Sequence, residues 1–252
     1  MELNKIYNEN CLDTMRKMSD NSIDLIVTSP PYFNLREYAQ WKSYDDYLKS
    51  VDLWFKEMSR IIKSGRHIAW NIQPFVPTKI ANDERWHLPL SANTVNIAYK
   101  YDLMIEQQII WNKQNASQNM FGSYPYPPTI IYKPITEDIL IFKKKGQADL
   151  RNKTEESKID LDFWKKWSIN VWTFPAQTNS EHSAPFPLTL PDTVIKMHSF
   201  VGDIVYDPFT GSGTTAVACK LNKRNYIGSE YKQEYVEMAE NRLSHMTNSL
   251  FN

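Results

Sequence analysis

Four consecutive residues, Ser29, Pro30, Pro31 and Tyr32, carry the groups needed to grip a planar amine. The serine brings a hydroxyl. The two prolines supply no N–H and fix φ, so the carbonyls of the turn stay poised as acceptors. Tyr32 adds an aromatic face on which an extruded base can stack. An exocyclic amino nitrogen is a poor nucleophile, because its lone pair is delocalised into the ring. Two acceptors on its N–H groups favour a more tetrahedral nitrogen with an available lone pair. Activation of such an amino group is the chemistry this turn suits.

A second segment, Asp207-Pro208-Phe209-Thr210-Gly211-Ser212-Gly213-Thr214-Thr215, is a glycine-rich turn between an apolar run and a helical one. Glycine carries no Cβ, so the backbone turns sharply and approaches a ligand closely. The following helix start offers free N–H groups. Glu230, at the end of the next apolar run, is placed to accept hydrogen bonds from ribose hydroxyls. With Ala216, the segment also satisfies the dinucleotide pattern G-x-G-x-x-A, and Glu230 lies roughly twenty residues on, as that pattern expects. Alone it therefore leaves a nicotinamide dehydrogenase and a methyltransferase both open. It is not a P-loop, because no Gly-Lys-Ser/Thr follows.

The elements that position these turns are legible in the apolar patterning. Ile23 to Val27 reads as a buried strand ending at the Pro-Pro pair. Ser43 caps a helix, with Asp46 in a box-like position. The stripe Tyr47, Leu48, Val51, Trp54, Phe55, Met58, Ile61 and Ile62 marks its buried face, and Gly65 is expected to end it. His67 to Trp70 is the next strand, completing a strand–helix–strand unit of an α/β protein. Leu103 to Trp111 and Ile139 to Phe142 read as strands, with an irregular stretch from Asn112 to Pro134 between them. Such a long irregular stretch is more often functional than idle. Residues 146–170 allow a short helical excursion. Towards the end, Asp203 to Tyr206 is a strand, Thr214 to Leu221 a helix and Asn225 to Ser229 a strand. Tyr235, Val236, Ala239, Arg242, Leu243 and Met246 then share one face of a last helix. Since only one helix follows Glu230, the sheet must be completed from the N-terminal part.

That order gives the resemblance its specificity. The segment from Asp207 to Thr215 resembles motif I of the S-adenosylmethionine-dependent DNA amino-methyltransferases, and Ser29 to Tyr32 resembles their motif IV. His182-x-Ala184-x-Phe186, just upstream of motif I, resembles motif X, which packs beside the methionine end of the cofactor. Motif IV ahead of X and I is the β-type arrangement. The resemblance implies a circularly permuted Rossmann-like methyltransferase fold: an α/β chain with a mostly parallel central sheet, flanking helices and inserted DNA-recognition loops. It implies S-adenosyl-L-methionine as cofactor, held by Asn10, Cys11, His182, Ala184, Phe186, Asp207, Phe209, Gly211, Gly213, Thr214, Thr215 and Glu230. Asn10-Cys11-Leu12 matches the family's N-terminal strand end, where Asp is usual before Cys. Gly122 to Tyr124 and Glu137 to Leu140 resemble the segment before and within motif VIII. By the same resemblance Ser29, Pro30, Pro31 and Tyr32 are catalytic, with the Ser29 side chain and the Pro30 carbonyl as the two acceptors.

Cysteine usage separates the methylations. Attack at C5 of cytosine needs a covalent cysteine nucleophile. The chain has two cysteines, Cys11 and Cys219, and neither follows a proline in a catalytic-looking loop. Exocyclic N-methylation remains, and Ser29 at the first motif position favours cytosine N4, with adenine N6 as the alternative. An RNA or protein amide methyltransferase and a nucleotide-binding oxidoreductase are more remote readings.

The chain has 252 residues, 42% hydrophobic and 23% charged, with zero formal net charge. A single domain over residues 1–252 is expected, with a catalytic half (1–111), target-recognition segments (112–181) and a cofactor-binding half (182–252). Within the middle part, Asn112 to Tyr132 and 146–181 are the best recognition candidates; Asn and Gln can read adenine edges, and Arg or Lys guanine edges. Arg36 could contact a phosphate. Lys143 to Lys145 with Arg151 and Lys153, and Lys220 with Lys223 and Arg224, are the basic groups, read as solvated surface charge. No Cys/His cluster has metal-ligand spacing, and no apolar run spans a bilayer. Double-stranded DNA is the expected partner and a prokaryotic cytoplasm the expected location. A restriction endonuclease acting on the same site, and a homodimer, are compatible with the resemblance.

Overall fold

The computed structural model describes residues 1–33, 40–79, 85–114, 125–127, 132, 134–150, 154–177 and 186–249. The chain begins with strand β1 (Lys5–Tyr7), helix α1 (Cys11–Lys17), β2 (Ile23–Thr28), α2 (Tyr44–Ile61) and β3 (Ile62–Ile72). A two-stranded hairpin follows, β4 (Phe75–Lys79) with β5 (Arg85–Pro89), then α3 (Leu90–Ala98), β6 (Leu103–Lys113) and β7 (Thr136–Lys144). The remainder is α4 (Leu161–Trp167), β8 (Val171–Phe174), α5 (Thr189–His198), β9 (Ile204–Asp207), α6 (Thr214–Leu221), β10 (Asn225–Ser229) and α7 (Gln233–Ser249).

The main sheet has eight strands in the order β1-β10-β9-β2-β3-β7-β6-β8. The run from β1 to β3 is parallel throughout, β7 is antiparallel to both β3 and β6, and β8 is parallel to β6. Strands β9 and β10, from the end of the chain, lie between β1 and β2 from its start. This is the permuted arrangement expected from the motif order. Its register places Leu25 beside Val205 and Ile26 beside Tyr206, so the turns leaving β2 and β9 emerge side by side.

Both faces of the central strands are covered, as parallel sheets require. Alternation sends Ile26, Ile68, Trp70 and Tyr206 into a core under α1, α2 and α3. Leu25, Val27, Ala69 and Val205 go to a second core under α5 and α6. Helix α2 forms as its stripe predicts. Ser43 Oγ accepts from the Asp46 N–H at 3.1 Å, and Tyr47, Val51, Trp54, Phe55, Met58 and Ile61 are buried.

Gly65 does not end α2. The helix stops at Ile61, where Ile62 turns extended and β3 begins at once. Gly65 sits within β3 at φ +70°, and a Cβ there would lie 2.2 Å from the Ala148 nitrogen. Glycine is therefore required by a passing backbone rather than by a helix cap. Similarly, β1 ends at Tyr7, before Asn10, which instead caps α1: its Oδ1 accepts from the Leu12 N–H at 2.9 Å. Asp203 precedes its strand, which starts at Ile204. The hairpin, α3, β8 and α5 carried too little periodicity to be read from sequence.

The described basic groups are largely engaged, some by carboxylates and some by backbone carbonyls. Lys143 reaches Glu106 at 3.2 Å, Lys144 the Ile62 carbonyl at 2.9 Å and Lys145 Asp102 at 2.7 Å. Lys220 donates to the Leu243 carbonyl, and Arg224 is buried with its guanidinium on the Ser199 carbonyl. Arg151 and Lys153 lie outside the described residues. No described helix is long and apolar enough to cross a membrane.

Candidate active site

A cavity of about 1320 Å³ opens at the carboxyl ends of the parallel strands, where ligands bind in open α/β sheets. Ser29, Pro30, Pro31 and Tyr32 all line it. So do Asn10, Cys11, Phe186, Phe209, Gly211, Thr214 and Glu230. The two motifs, far apart in the chain, thus share one space. Asp207, Gly213 and Thr215 do not line it; Gly213 ends the glycine turn, and Asp207 and Thr215 hold it from behind. His182, Ala184 and Arg36 lie outside the described residues.

Asp207 ties the two motifs together. Its Oδ1 accepts from Thr28 Oγ1 at 2.6 Å and from the Phe209 N–H at 3.0 Å. Its Oδ2 accepts from Thr215 Oγ1 at 2.6 Å. One buried carboxylate therefore joins the end of β2, the turn after β9 and the first residues of α6. Thr28 was not singled out in the sequence, though its position before Ser29 is the signal. Gly213 caps α6 at φ +80°, and a Cβ there would meet the Ala239 Cβ at 2.8 Å. Only glycine lets α6 start so close to α7.

Burial pushes the Asp207 carboxyl from an ordinary 3.8 up to about 6, against the hydrogen bonds from Thr215 and Thr28. A group whose folded value is raised stabilises the fold fully below its unfolded value and loses that contribution as pH rises through the folded one. The contribution of Asp207 should therefore fall between pH 3.8 and about 6. Asp207→Asn keeps the size and the acceptor, and Thr215 Oγ1 can accept from the new amide. Thermal melts from pH 4 to 7 should show a flatter dependence for this variant; an unchanged slope would contradict the assignment.

Glu230 faces the glycine turn. Its Oε2 accepts from the Gly211 N–H at 2.9 Å and its Oε1 from the Lys232 N–H at 2.9 Å. Burial raises its pKa. A carboxylate has about four acceptor sites; the backbone N–H groups of Lys232, Gly211 and Tyr231 draw on part of them, leaving capacity for a ligand hydroxyl in the cavity. Phe209 packs edge-on against Trp54 at 4.8 Å, so α2 fixes the wall opposite. The Asn10 side-chain oxygen serves the α1 cap, so its amide hydrogens are what it offers the cavity.

At the other end, Tyr32 OH donates to Glu137 Oε2 at 3.0 Å and lies 3.2 Å from Ser29 Oγ. Glu137 Oε1 pairs with Lys113 Nζ. Glu137 and Lys113, on β7 and β6, also line the cavity. Neither was picked out as a site residue from sequence. Glu137 sits in the segment resembling motif VIII, but nothing local marks it as a partner of Tyr32. Gln73, Trp41, Leu53 and Trp111 also line the cavity.

Both thiols are buried, and burial pushes Cys11 up to about 12 and Cys219 well above its ordinary value. Neither supplies a thiolate near neutral pH. Among the described residues no cluster of His, Cys, Asp or Glu could hold a metal ion.

Of the expected recognition stretches, Asn112 and Lys113 close β6, while 115–124 and 128–131 lie outside the described residues. Within 146–177, α4 and β8 pack through Trp167 on Trp172 at 5.2 Å, and Trp111 stacks on Phe174 at 5.1 Å. The hairpin β4–β5 adds exposed aromatics, Phe75 and Trp86.

A family model described as DNA methylase, N6_N4_Mtase, matches residues 23–241. The Type II methyltransferase M.HinfI of Haemophilus influenzae is 29% identical over 96% of this chain and 68% of that protein. A putative DNA modification methylase of Thermus thermophilus, solved in complex with S-adenosyl-L-methionine, superposes with a TM-score of 0.82 at 26% identity. That match covers 96% of this chain and 93% of the other. The PvuII DNA methyltransferase, described as cytosine-N4-specific, shares the fold at a TM-score of 0.69 and 18% identity, over 94% of this chain and 84% of that one.

Proposed function

We propose, from the premise that this chain belongs to the N6/N4 DNA methylase family, that it methylates cytosine N4 on a base flipped out of double-stranded DNA. The donor is S-adenosyl-L-methionine. The observation that carries this reading is the single cavity lined by both Ser29 to Tyr32 and Gly211 with Glu230. At about 1320 Å³ it exceeds the range of roughly 300–1,000 Å³ usual for one small ligand. A nucleoside cofactor and an extruded base both fit.

Glu230 accepts from the ribose hydroxyls, and Gly211, Thr214, Phe209 and Phe186 wall the cofactor end with Asn10 and Cys11. When bound, the cofactor supplies a methyl group already activated on a sulfonium sulfur. The chain supplies position. Ser29 Oγ accepts one N–H of the target amino group and the Pro30 carbonyl the other, which localises the nitrogen lone pair. The Tyr32 ring stacks on the base and holds it out of the helix. The protonated state of Cys11 and Cys219 leaves no nucleophile for C5 chemistry. Serine at position 29 selects cytosine N4 over adenine N6 by resemblance to N4 members of the family. By the same resemblance, a restriction endonuclease of matching specificity is the partner.

The test is direct. The protein is incubated with labelled cofactor and duplex DNA of mixed sequence, and the DNA is digested to nucleosides. N4-methylcytosine is expected. N6-methyladenine would move the target to the other amino group. Label in RNA or protein but none in DNA would sink the substrate assignment.

A further inference from the structure

The line of contacts Lys113, Glu137, Tyr32, Ser29 has a direction. Glu137 is 8% exposed, and Lys113 supplies the counter-charge that a buried carboxylate requires. An ionised carboxylate only accepts. Burial, and then the Glu137 charge, hold the Tyr32 phenol well above its ordinary value, so it keeps its hydrogen. A phenol has one hydrogen, and Tyr32 gives it to Glu137 Oε2 at 3.0 Å. Toward Ser29, 3.2 Å away, the Tyr32 oxygen is left as an acceptor only. The Ser29 hydroxyl must then donate to Tyr32. What Ser29 has left for the cavity it lines is lone pairs.

We propose that Glu137, acting through Tyr32, sets the polarity of the Ser29 hydroxyl and makes it an obligatory acceptor, which admits an amino group at the target position and rejects a carbonyl. Glu137 and Lys113 are positioning residues in this scheme. The inference rests on the reading of Ser29 as an acceptor for the target amino group. Its consequence is specificity. Cytosine and adenine present N–H donors where thymine and guanine present carbonyl oxygens. A serine free to rotate could satisfy either; a serine whose hydrogen is committed satisfies only the amino bases.

The experiment compares Glu137→Gln, Tyr32→Phe and the double variant with the unaltered protein, on duplex DNA that the latter methylates. Glutamine can turn its NH2 toward Tyr32, which frees the phenol hydrogen for Ser29 and reverses the line. Glu137→Gln should lower kcat by about tenfold or more, less than the roughly 10²–10³ for removing such a group outright, because the Ser29 hydroxyl itself remains. KM for the cofactor should stay near that of the unaltered protein. The double variant should be little worse than Tyr32→Phe alone, because Glu137 acts through the phenol that is already gone. On duplexes with the target base replaced by its carbonyl counterpart, Glu137→Gln should narrow the binding preference for the amino base.

Full kcat in Glu137→Gln or in Tyr32→Phe would overturn the inference. So would a double variant whose loss equals the product of the single losses, the mark of two independent structural effects. Cofactor affinity by calorimetry and the melting temperature separate misfolding from lost polarity; Tyr32→Phe, which removes no charge, keeps the question answerable if Glu137→Gln unfolds. An unaltered protein that leaves DNA unmethylated would overturn the function on which this rests. Methylation together with a fully active Glu137→Gln would overturn this inference alone.

Discussion

Ser29→Ala should abolish most turnover while leaving cofactor binding intact. Removing one hydrogen-bonding group aimed at the reacting centre costs roughly 10²–10³ in rate. Ser29 Oγ reaches Tyr32 at 3.2 Å and lines the cavity beside the turn that leaves β2. The cofactor end is built from other elements, chiefly the turn after β9 and Glu230 after β10. The affinity for S-adenosyl-L-methionine, read by calorimetry, should therefore match that of the unaltered protein while kcat on DNA collapses. Tyr32→Ala should behave alike, because the stacking face is lost. A fully active Tyr32→Ala would show that the ring does not hold the base. A Ser29→Ala variant that lost cofactor affinity in step with kcat would mean that the two ends of the cavity are not independent.

The second large effect is on stability and lies at the opposite end of the sheet. Arg66 is buried between two aspartates: Nη1 lies 3.1 Å from Asp203 Oδ2 and Nη2 lies 3.5 Å from Asp24 Oδ1. Asp203 is 1% exposed and Asp24 2%. Phe200 stacks under the guanidinium at 5.1 Å. Breaking such a group by removing one partner costs about 3–5 kcal/mol, because a buried charge is left uncompensated. Arg66→Met should therefore lower the melting temperature by roughly 10 °C at this chain length. Lys63, 2.6 Å from Asp24, softens the loss at that carboxylate. A triple change that also replaces Asp24 and Asp203 by Asn should recover much of the loss. A melting point unchanged in Arg66→Met would show that the aspartates are adequately held without it.

Asp24 also accepts from the Ile204 N–H at 3.0 Å, so this cluster pins the starts of β2 and β9 together. At their other ends Thr28 and Asp207 pin the same two strands. The cavity's precision follows: two short strands, remote in sequence, are clamped at both ends, and the Ser29 to Tyr32 turn and the glycine turn leave from the clamped tips.

The dehydrogenase reading of the glycine turn depended on Gly211, Gly213, Ala216 and Glu230 alone. It falls because the chain belongs to the DNA methylase family and because β9 and β10 insert between β1 and β2. The motif order, with the Ser29 to Tyr32 turn ahead of the glycine turn, agrees with that insertion. The helix α2 and the strand β2 were equally legible, because a continuous apolar stripe or run reports burial directly. Gly65 misled for a physical reason: glycine marks any backbone position with positive φ or close approach, and here the requirement came from Ala148, far along the chain.

By itself, then, the sequence determined the chemistry available and the order of the parts: an acceptor turn at Ser29 to Tyr32, a glycine turn at Gly211 to Gly213, an acid at Glu230, and a permuted sheet to join them. These are local properties, carried by residue type and period. The tertiary structure alone decided which groups work on one another. Asp207 proved to be a buried tie between two motifs rather than a lining residue, and Asn10 both lines the cavity and caps α1. Glu137 and Lys113, over one hundred and over eighty positions from Ser29 by their numbering, came to stand behind Tyr32. Pairing across a sheet depends on strand order and register, and no local pattern encodes the partner a side chain meets there.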